Sequence, residues 1–308
     1  MFAGIKNAGA LFSSIIRVPF RYPVLLVPLF FVWAAYAPVL VYMKFYFPWE
    51  TVSLGVGLAA AFGFIFLLSY LISLSAFMLL EQIRMIENGS SPSVAWPVRV
   101  AFWNSIRALH VTLIWALLWF AITVAEMLVR RGRSDAGADE PTPENVAKLL
   151  GGYERFSLSA AFLDALKKGV RMIAFLIYPA IAWEGHDRPI RRGLSVARTH
   201  KTAFASGFVL TDIAAAVVFL PPAIVFMLSE KTDVAIGDTV WFAVILYCGF
   251  AWSFSILIEQ LFTAELYLWD LNWRRECDAA EAKGGRAPAL GDVKRPSILD
   301  DHADMTPG

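Results

Sequence analysis

Four arginines that follow an apolar stretch are the side chains in this chain best suited to bind a ligand. They are Arg188, Arg191, Arg192 and Arg198. In a helix, Arg188, Arg191 and Arg198 lie on one face, and the apolar residues Ile190 and Leu194 lie on another. Such a helix rests in a membrane interface with its guanidinium groups on anionic headgroups, which makes membrane lipids the expected partner. The alternative is that these arginines are ordinary positive charges of a cytoplasmic loop.

Asp212 is an acidic residue within an apolar stretch. It lies five residues after Gly207, which is roughly 7–8 Å deep at 1.5 Å per residue. A carboxylate in lipid is costly, so we expect Asp212 to face the helical bundle or a cavity. One hypothesis is that Asp212 handles a proton or an ion. The alternatives are that it pairs with a loop arginine or extends to the cytoplasmic surface.

Three prolines interrupt apolar stretches, and each removes a backbone hydrogen-bond donor. Pro179 lies in the fourth apolar stretch, and Pro221 and Pro222 lie in the fifth. The sequence therefore predicts kinked helices at these positions. The kinks are either structural or part of broken helices that line a substrate site.

The chain carries no pattern typical of an enzyme. It has no nucleophile–base arrangement, no glycine-rich phosphate loop and no metal-ligand spacing, so we predict no catalytic residue, cofactor or metal. A membrane enzyme acting on lipid would need four loop residues to converge on one cavity, namely Glu184, His186, Asp187 and His200. The net charge of +1 argues against nucleic acid as a partner.

Six long apolar stretches must position these residues. The composition is 58% hydrophobic and 17% charged, with a mean hydropathy of +0.57, and a membrane span needs about 20 mostly apolar residues. Only helices are plausible at these lengths, because backbone groups in lipid must pair within their own segment. We predict an all-α integral membrane bundle with spans at about 23–42, 52–80, 109–129, 169–183, 207–228 and 240–258.

Amphipathic and polar segments complete the predicted architecture. We expect one or two interfacial amphipathic helices, one of them over residues 157–171. The sixth helix is expected to continue past the membrane through Tyr267, Trp269 and Trp273. The domain prediction is a membrane domain over 1–276 and a flexible cytoplasmic tail over 277–308.

Lysines and arginines concentrate in alternate loops, which indicates that both termini are cytoplasmic. The segment from Arg130 to Arg171 opposes this orientation, because it carries eight basic residues on the predicted outer side. Its length and its acidic residues reduce its weight.

Three regions of the chain resemble a family of bacterial integral membrane proteins recorded as a domain of unknown function. They are residues 79–84 (LLEQIR) with 88–93 (NGSSPS), residues 178–184 (YPAIAWE) with 189–195 (PIRRGLS), and residues 262–267 (FTAELY). Members of that family are distantly similar to the membrane domain of some glycerophosphodiester phosphodiesterases. The resemblance implies a location in the bacterial cytoplasmic membrane, and it brings no catalytic residues.

The sequence as a whole predicts a non-enzymatic, multi-pass membrane protein. Its role would be envelope scaffolding or assembly, or lipid handling at the cytoplasmic leaflet, with a possible homo-oligomer or membrane-protein partner. The alternative is a small transporter or channel, in which Asp212 and the proline-containing fourth and fifth spans line a polar path.

Overall fold

The computed structural model describes residues 15–49, 51–131, 158–185, 187–231, 237–294 and 296. Of these residues, 86% are helical and none forms a strand. The all-α prediction is therefore confirmed. Most of the segment from Arg130 to Arg171, which opposes the predicted orientation, lies outside the described residues.

Eight α-helices in the described ranges are numbered here in chain order. They are α1 (Val27–Phe45), α2 (Leu54–Glu87), α3 (Ala95–Arg107), α4 (Leu109–Arg131), α5 (Leu158–Ala182), α6 (Pro189–Thr199), α7 (Lys201–Lys231) and α8 (Asp238–Ala282). A 3-10 turn, Pro23–Leu26, leads into α1. Two helix starts follow known rules: the Ser53 hydroxyl accepts from the Val56 backbone N–H at the start of α2, and Pro189 opens α6.

Five of these helices are long and apolar enough to cross a membrane. The corresponding segments are Pro23–Met43, Leu54–Glu87, Leu109–Glu126, Lys201–Ser229 and Thr239–Ala282. They coincide with the first, second, third, fifth and sixth predicted spans, and they are compatible with a multi-pass membrane protein. The sixth predicted span continues as one helix to Ala282, as expected.

The predicted interfacial segment over 157–171 and the predicted fourth span over 169–183 form one continuous helix, α5. Its first half carries Asp164, Lys167, Lys168 and Arg171. These charges explain why α5 is absent from the five apolar segments. A sixth membrane crossing therefore stays a prediction.

Helices α2, α5 and α8 form the centre of the bundle. Helix α1 packs on α2 and α8, α4 packs on α2 and α5, and α7 packs mainly on α8. Large buried side chains fill the centre, among them Phe77, Phe175, Tyr178 and Phe262. Helix α7 is peripheral. Only 11% of its apolar stretch is buried inside the protein, as expected for a helix that faces lipid.

A buried group of hydroxyls joins α2, α4 and α5. The Ser73 hydroxyl donates to the Ser69 carbonyl oxygen at 2.8 Å, and it lies 3.0 Å from the Thr112 hydroxyl and 2.5 Å from the Tyr178 hydroxyl. Buried polar groups need such partners, so this cluster fixes the rotation of three core helices against one another.

The chain beyond Ala282 returns along α8. The Trp273 indole donates to the Pro288 carbonyl oxygen at 2.9 Å, and the Trp269 indole donates to the Val293 carbonyl oxygen at 3.2 Å. Val293 is buried. The last part of the predicted flexible tail, 297–308, lies outside the described residues.

Helix α6 approaches α5 closely at Gly193, and this contact leads to a stability prediction. A Cβ atom there would lie 2.9 Å from both the Ile177 Cα and the Leu176 carbonyl oxygen. Backbone atoms do not yield as a flexible side chain does, so Gly193→Ala forces α6 away from α5. We expect a loss of about 1–3 kcal/mol in the free energy of unfolding, the usual cost of overpacking. Denaturant titration in detergent, followed by circular dichroism, measures it.

Gly169→Ala is the matched control, because it also adds a Cβ to a helical glycine. Its nearest neighbour would be Phe208 Cε2 at 3.9 Å, an ordinary contact. Equal stability of the two variants would contradict the close α5–α6 contact.

Candidate functional site

Asp270 of α8 is the centre of a buried ionic network. Its side chain is 0% exposed. One carboxylate oxygen accepts from Arg192 Nη1 and Arg274 Nε, each at 2.9 Å. The other lies 2.8 Å from His200 Nε2. A buried carboxylate is tolerated only when it is paired in this way.

Arg192 of α6 connects this carboxylate to a second acid. Its Nε and Nη2 each donate to Glu184 at 2.9 Å, and the guanidinium lies 4.8 Å from the centre of the Tyr267 ring. Burial alone would lower the pKa of Arg192, but the hydrogen bonds to Glu184 and Asp270 outweigh it and raise the pKa above its ordinary value. Arg192 is therefore a charged partner for both acids, as an arginine side chain stays protonated in proteins.

The ionic network, defined as Glu184, Arg192, His200, Asp270 and Arg274, links three helices. Glu184 follows the end of α5, Arg192 lies on α6, and His200 separates α6 from α7. Asp270 and Arg274 occupy positions i and i+4 of α8. The network thus fixes the short helix α6 against the core.

Two cavities lie along α6, and together they are called the arginine groove here. The first adjoins the ionic network, because Arg192 and Arg274 line it. The first has a volume of about 540 Å³. It is lined by Asp187, Arg188, Arg191, Arg192, Ser195 and Arg274. The second has a volume of about 460 Å³. It is lined by His110, Asp187, Arg188, Pro189, Ile190, Arg191, Leu194 and Arg198.

The arginines of the groove differ in what they already bind. Arg192 and Arg274 pair with carboxylates of the ionic network. Arg191 and Arg198 are exposed and form no ion pair with any residue in the described ranges. Guanidinium groups of this kind attract phosphate and carboxylate groups, so the groove is suited to an anionic ligand.

A second group of charges lies within the apolar part of the bundle. Lys168 of α5 contacts Asp212 of α7 at 2.5 Å and donates to the Phe208 carbonyl oxygen at 2.8 Å. Arg171 of α5 donates to both oxygens of Glu259 of α8, at 2.7 and 2.8 Å. Lys168, Arg171, Asp212 and Glu259 are called the charged layer below.

The charged layer lies well away from the ionic network along the helices. Eleven residues separate Glu259 from Asp270 on α8, which is about 16 Å at 1.5 Å per residue. Twelve residues separate His200 from Asp212, which is about 18 Å by the same measure. Beside the layer, Lys167 pairs with Glu126 at 2.6 Å.

The four arginines predicted from the sequence divide between two environments. Arg188, Arg191 and Arg198 are exposed, whereas Arg192 is buried and ion-paired. Asp212 pairs with Lys168, a residue of α5, and its side chain is 56% exposed. Pro179 lies inside α5, and Pro221 and Pro222 lie inside α7; neither helix is interrupted there.

The sequence did not identify four residues of the ionic network and the charged layer as site residues: Asp270, Arg274, Lys168 and Arg171. One signal was available for the first two: an acid and an arginine at i, i+4 spacing near the aromatic end of a long helix. Glu259 follows the predicted end of the sixth span at residue 258, and its side chain is 2% exposed and paired with Arg171.

The set of loop residues that a lipid enzyme would need is only partly assembled. Glu184 and His200 meet through Arg192 and Asp270. Asp187 lines the arginine groove, and His186 lies outside the described residues. Within the described ranges, no group of three or more His, Cys, Asp or Glu is placed to hold a metal ion.

Comparison with known proteins gives no relative: no family model, no curated protein and no solved structure matches this chain. The site is therefore interpreted from its own geometry.

The ionic network predicts a large effect of Asp270→Asn. The substitution removes the one carboxylate shared by Arg192, Arg274 and His200, so the buried Arg192 keeps Glu184 but loses its second acid. We expect a loss of about 3–5 kcal/mol in the free energy of unfolding, measured by denaturant titration in detergent. Glu276→Gln, an exposed acid on the same helix, should change stability little. Similar values for the two variants would refute a structural role of the network.

Proposed function

We propose that this chain is a non-enzymatic, multi-pass protein of the bacterial cytoplasmic membrane that binds anionic lipid headgroups at the cytoplasmic leaflet. Its role would be lipid handling or envelope scaffolding and assembly. The arginine groove carries the proposal, because it combines a concave surface beside apolar helices with Arg191 and Arg198, which are exposed and form no ion pair among the described residues. Basic pockets of this kind between membrane helices bind anionic headgroups.

The surroundings of the groove support an interfacial position. Helix α3, near the same end of the bundle, exposes Trp96, Phe102 and Trp103 at 52–60% of their surface. The Trp96 indole also donates to Glu81 at 3.1 Å. Tryptophan is typical of the membrane–water boundary. We therefore interpret α3 and α6 as helices that lie in the membrane interface.

The end of α5 lies at the level of this boundary. The Trp183 indole donates to the Leu80 carbonyl oxygen at 3.3 Å, which places the end of α5 beside Leu80, the last residue of the second predicted span. With the groove on the cytoplasmic side, the lysine and arginine bias of the loops is satisfied and both termini are cytoplasmic. The resemblance to bacterial integral membrane proteins agrees with this location.

The charged layer favours a second candidate function, a small transporter or channel. Lys168 pairs with Asp212, and Arg171 pairs with Glu259. The sequence predicted only one charged residue, Asp212, inside the apolar part of the bundle. Charges inside a membrane bundle commonly mark an ion or substrate path. In this alternative, separation of Lys168 from Asp212 opens the space between α5 and α7.

The lipid proposal predicts preferential retention of phosphatidylglycerol over phosphatidylcholine by the purified protein. The double variant R191Q/R198Q removes two cations that have no ion-pair partner among the described residues, so it should lower phosphatidylglycerol binding at least about tenfold, or 1.4 kcal/mol. Native mass spectrometry of the full chain with added lipid measures bound lipid directly. Rising salt should weaken the binding, as for any exposed charge pair.

Arg275→Gln is the matched control for the lipid experiment. Arg275 is an exposed arginine of α8 that lines neither cavity of the groove. Equal lipid binding by wild type, the double variant and this control would rule out the groove as a headgroup site.

The two candidate functions predict different water access to the bundle. Single cysteines at Ser195, Asp212 and Pro222, in a chain lacking Cys248 and Cys277, are challenged with a small water-soluble thiol reagent. The lipid proposal predicts labelling at position 195 and none at 222. Position 212 should also stay unlabelled in membranes, because its exposed side then faces lipid. Labelling at both 212 and 222 would favour the transporter.

A further inference from the structure

We propose that the arginine groove takes a lipid whose headgroup carries two phosphate groups, one in each cavity. This inference rests on the proposed function and specifies its ligand. The two cavities are adjacent, since both are lined by Asp187, Arg188 and Arg191. The first cavity has Arg192 and Arg274 in addition, and the second has Arg198.

In the first cavity, the guanidinium of Arg274 is held in place by the buried carboxylate of Asp270. Arg274 uses Nε to donate to the fully buried Asp270, and its Nη2 lies 3.3 Å from the Ser195 hydroxyl. Its side chain is still 41% exposed. A guanidinium has five N–H donors, so Arg274 keeps donors for an anion while Asp270 fixes its position. Such preorganisation lowers the cost of binding.

The second cavity provides a cation that is not neutralised. Arg198 forms no ion pair with any residue of the described ranges, and it lies seven residues after Arg191. Seven residues are about two turns, or about 10 Å, along the same side of a helix. A phosphate in the first cavity is therefore shared by Arg191 and Arg274 and leaves Arg198 without an anion. A second, linked phosphate satisfies Arg198.

The walls of the second cavity favour a lipid over a soluble diphosphate. Ile190, Leu194 and Pro189 line it beside Arg198. These apolar side chains suit the glycerol and the first acyl carbons of a lipid. Inorganic pyrophosphate has two linked phosphates but no apolar group to contact these side chains.

The experiment compares probes that differ in one property at a time. The purified full chain is titrated with cardiolipin, phosphatidylglycerol and phosphatidylcholine in mixed micelles at equal total phosphate, and bound lipid is counted by native mass spectrometry. Cardiolipin should bind at least about tenfold more tightly than phosphatidylglycerol, because its second phosphate binds as an intramolecular event. Pyrophosphate at the same concentration should compete weakly.

Two variants assign the second phosphate to the second cavity. Arg198→Gln should reduce cardiolipin affinity to the level of phosphatidylglycerol while it changes phosphatidylglycerol affinity less than about twofold, or 0.4 kcal/mol. Arg275→Gln should change neither. Arg198 is exposed, so its replacement does not endanger folding as a change at Asp270 would.

The outcomes separate this inference from the proposed function. Equal affinity for cardiolipin and phosphatidylglycerol, both above phosphatidylcholine, overturns the two-phosphate ligand and leaves headgroup binding intact. Equal affinity for all three lipids overturns both. Full competition by pyrophosphate overturns a lipid as the source of the two phosphates.

Discussion

The position of α6 depends on one buried carboxylate, that of Asp270. An ion pair that loses one partner inside a protein costs several kcal/mol, so Asp270 can be accommodated only while Arg192, Arg274 and His200 surround it. Arg192 and His200 lie at the two ends of the contact between α6 and the core. Helix α6 is short, and its mean composition is polar, so hydrophobic burial alone would hold it weakly. The ionic network supplies the constraint, and the arginine groove exists because α6 is held there.

The same electrostatic rule operates in the apolar part of the bundle. Helix α5 brings Lys168 and Arg171 into a region where unpaired charge is costly, and each meets an acid from another helix, Asp212 or Glu259. Arg171 forms a bidentate pair with Glu259, the geometry in which a guanidinium and a carboxylate satisfy each other best. Helix α5 packs against α2, α4 and α8, and its second half contributes buried apolar residues such as Phe175. Ion pairs thus fix the first part of α5, and apolar packing fixes the second.

Hydropathy alone predicted most of the architecture, because the length and apolar character of a membrane helix are local properties. Five of the six predicted spans correspond to apolar helices. Arg188, Arg191 and Arg198, which helical spacing predicted to share one face, are all exposed. The charged partners were not predictable in this way. Arg192 meets Asp270 from 78 residues away, and Lys168 meets Asp212 from 44 residues away. Such contacts depend on which helices are neighbours, and hydropathy does not contain that information.

The contrast between Arg191 and Arg192 shows why a count of positive charges is a poor guide to this site. The two residues are adjacent in sequence and contribute equally to any charge-based estimate of orientation. On a helix they point about 100° apart, so Arg192 turns to the core and is neutralised by Glu184 and Asp270. Arg191 turns outward into the groove, where it forms no ion pair with any of the described residues. Arg192 therefore fixes the position of α6, and Arg191 provides the exposed positive charge that attracts anions. The proposed headgroup site needs both, because an exposed arginine on an unfixed helix would lose much of its binding energy to the ordering of that helix.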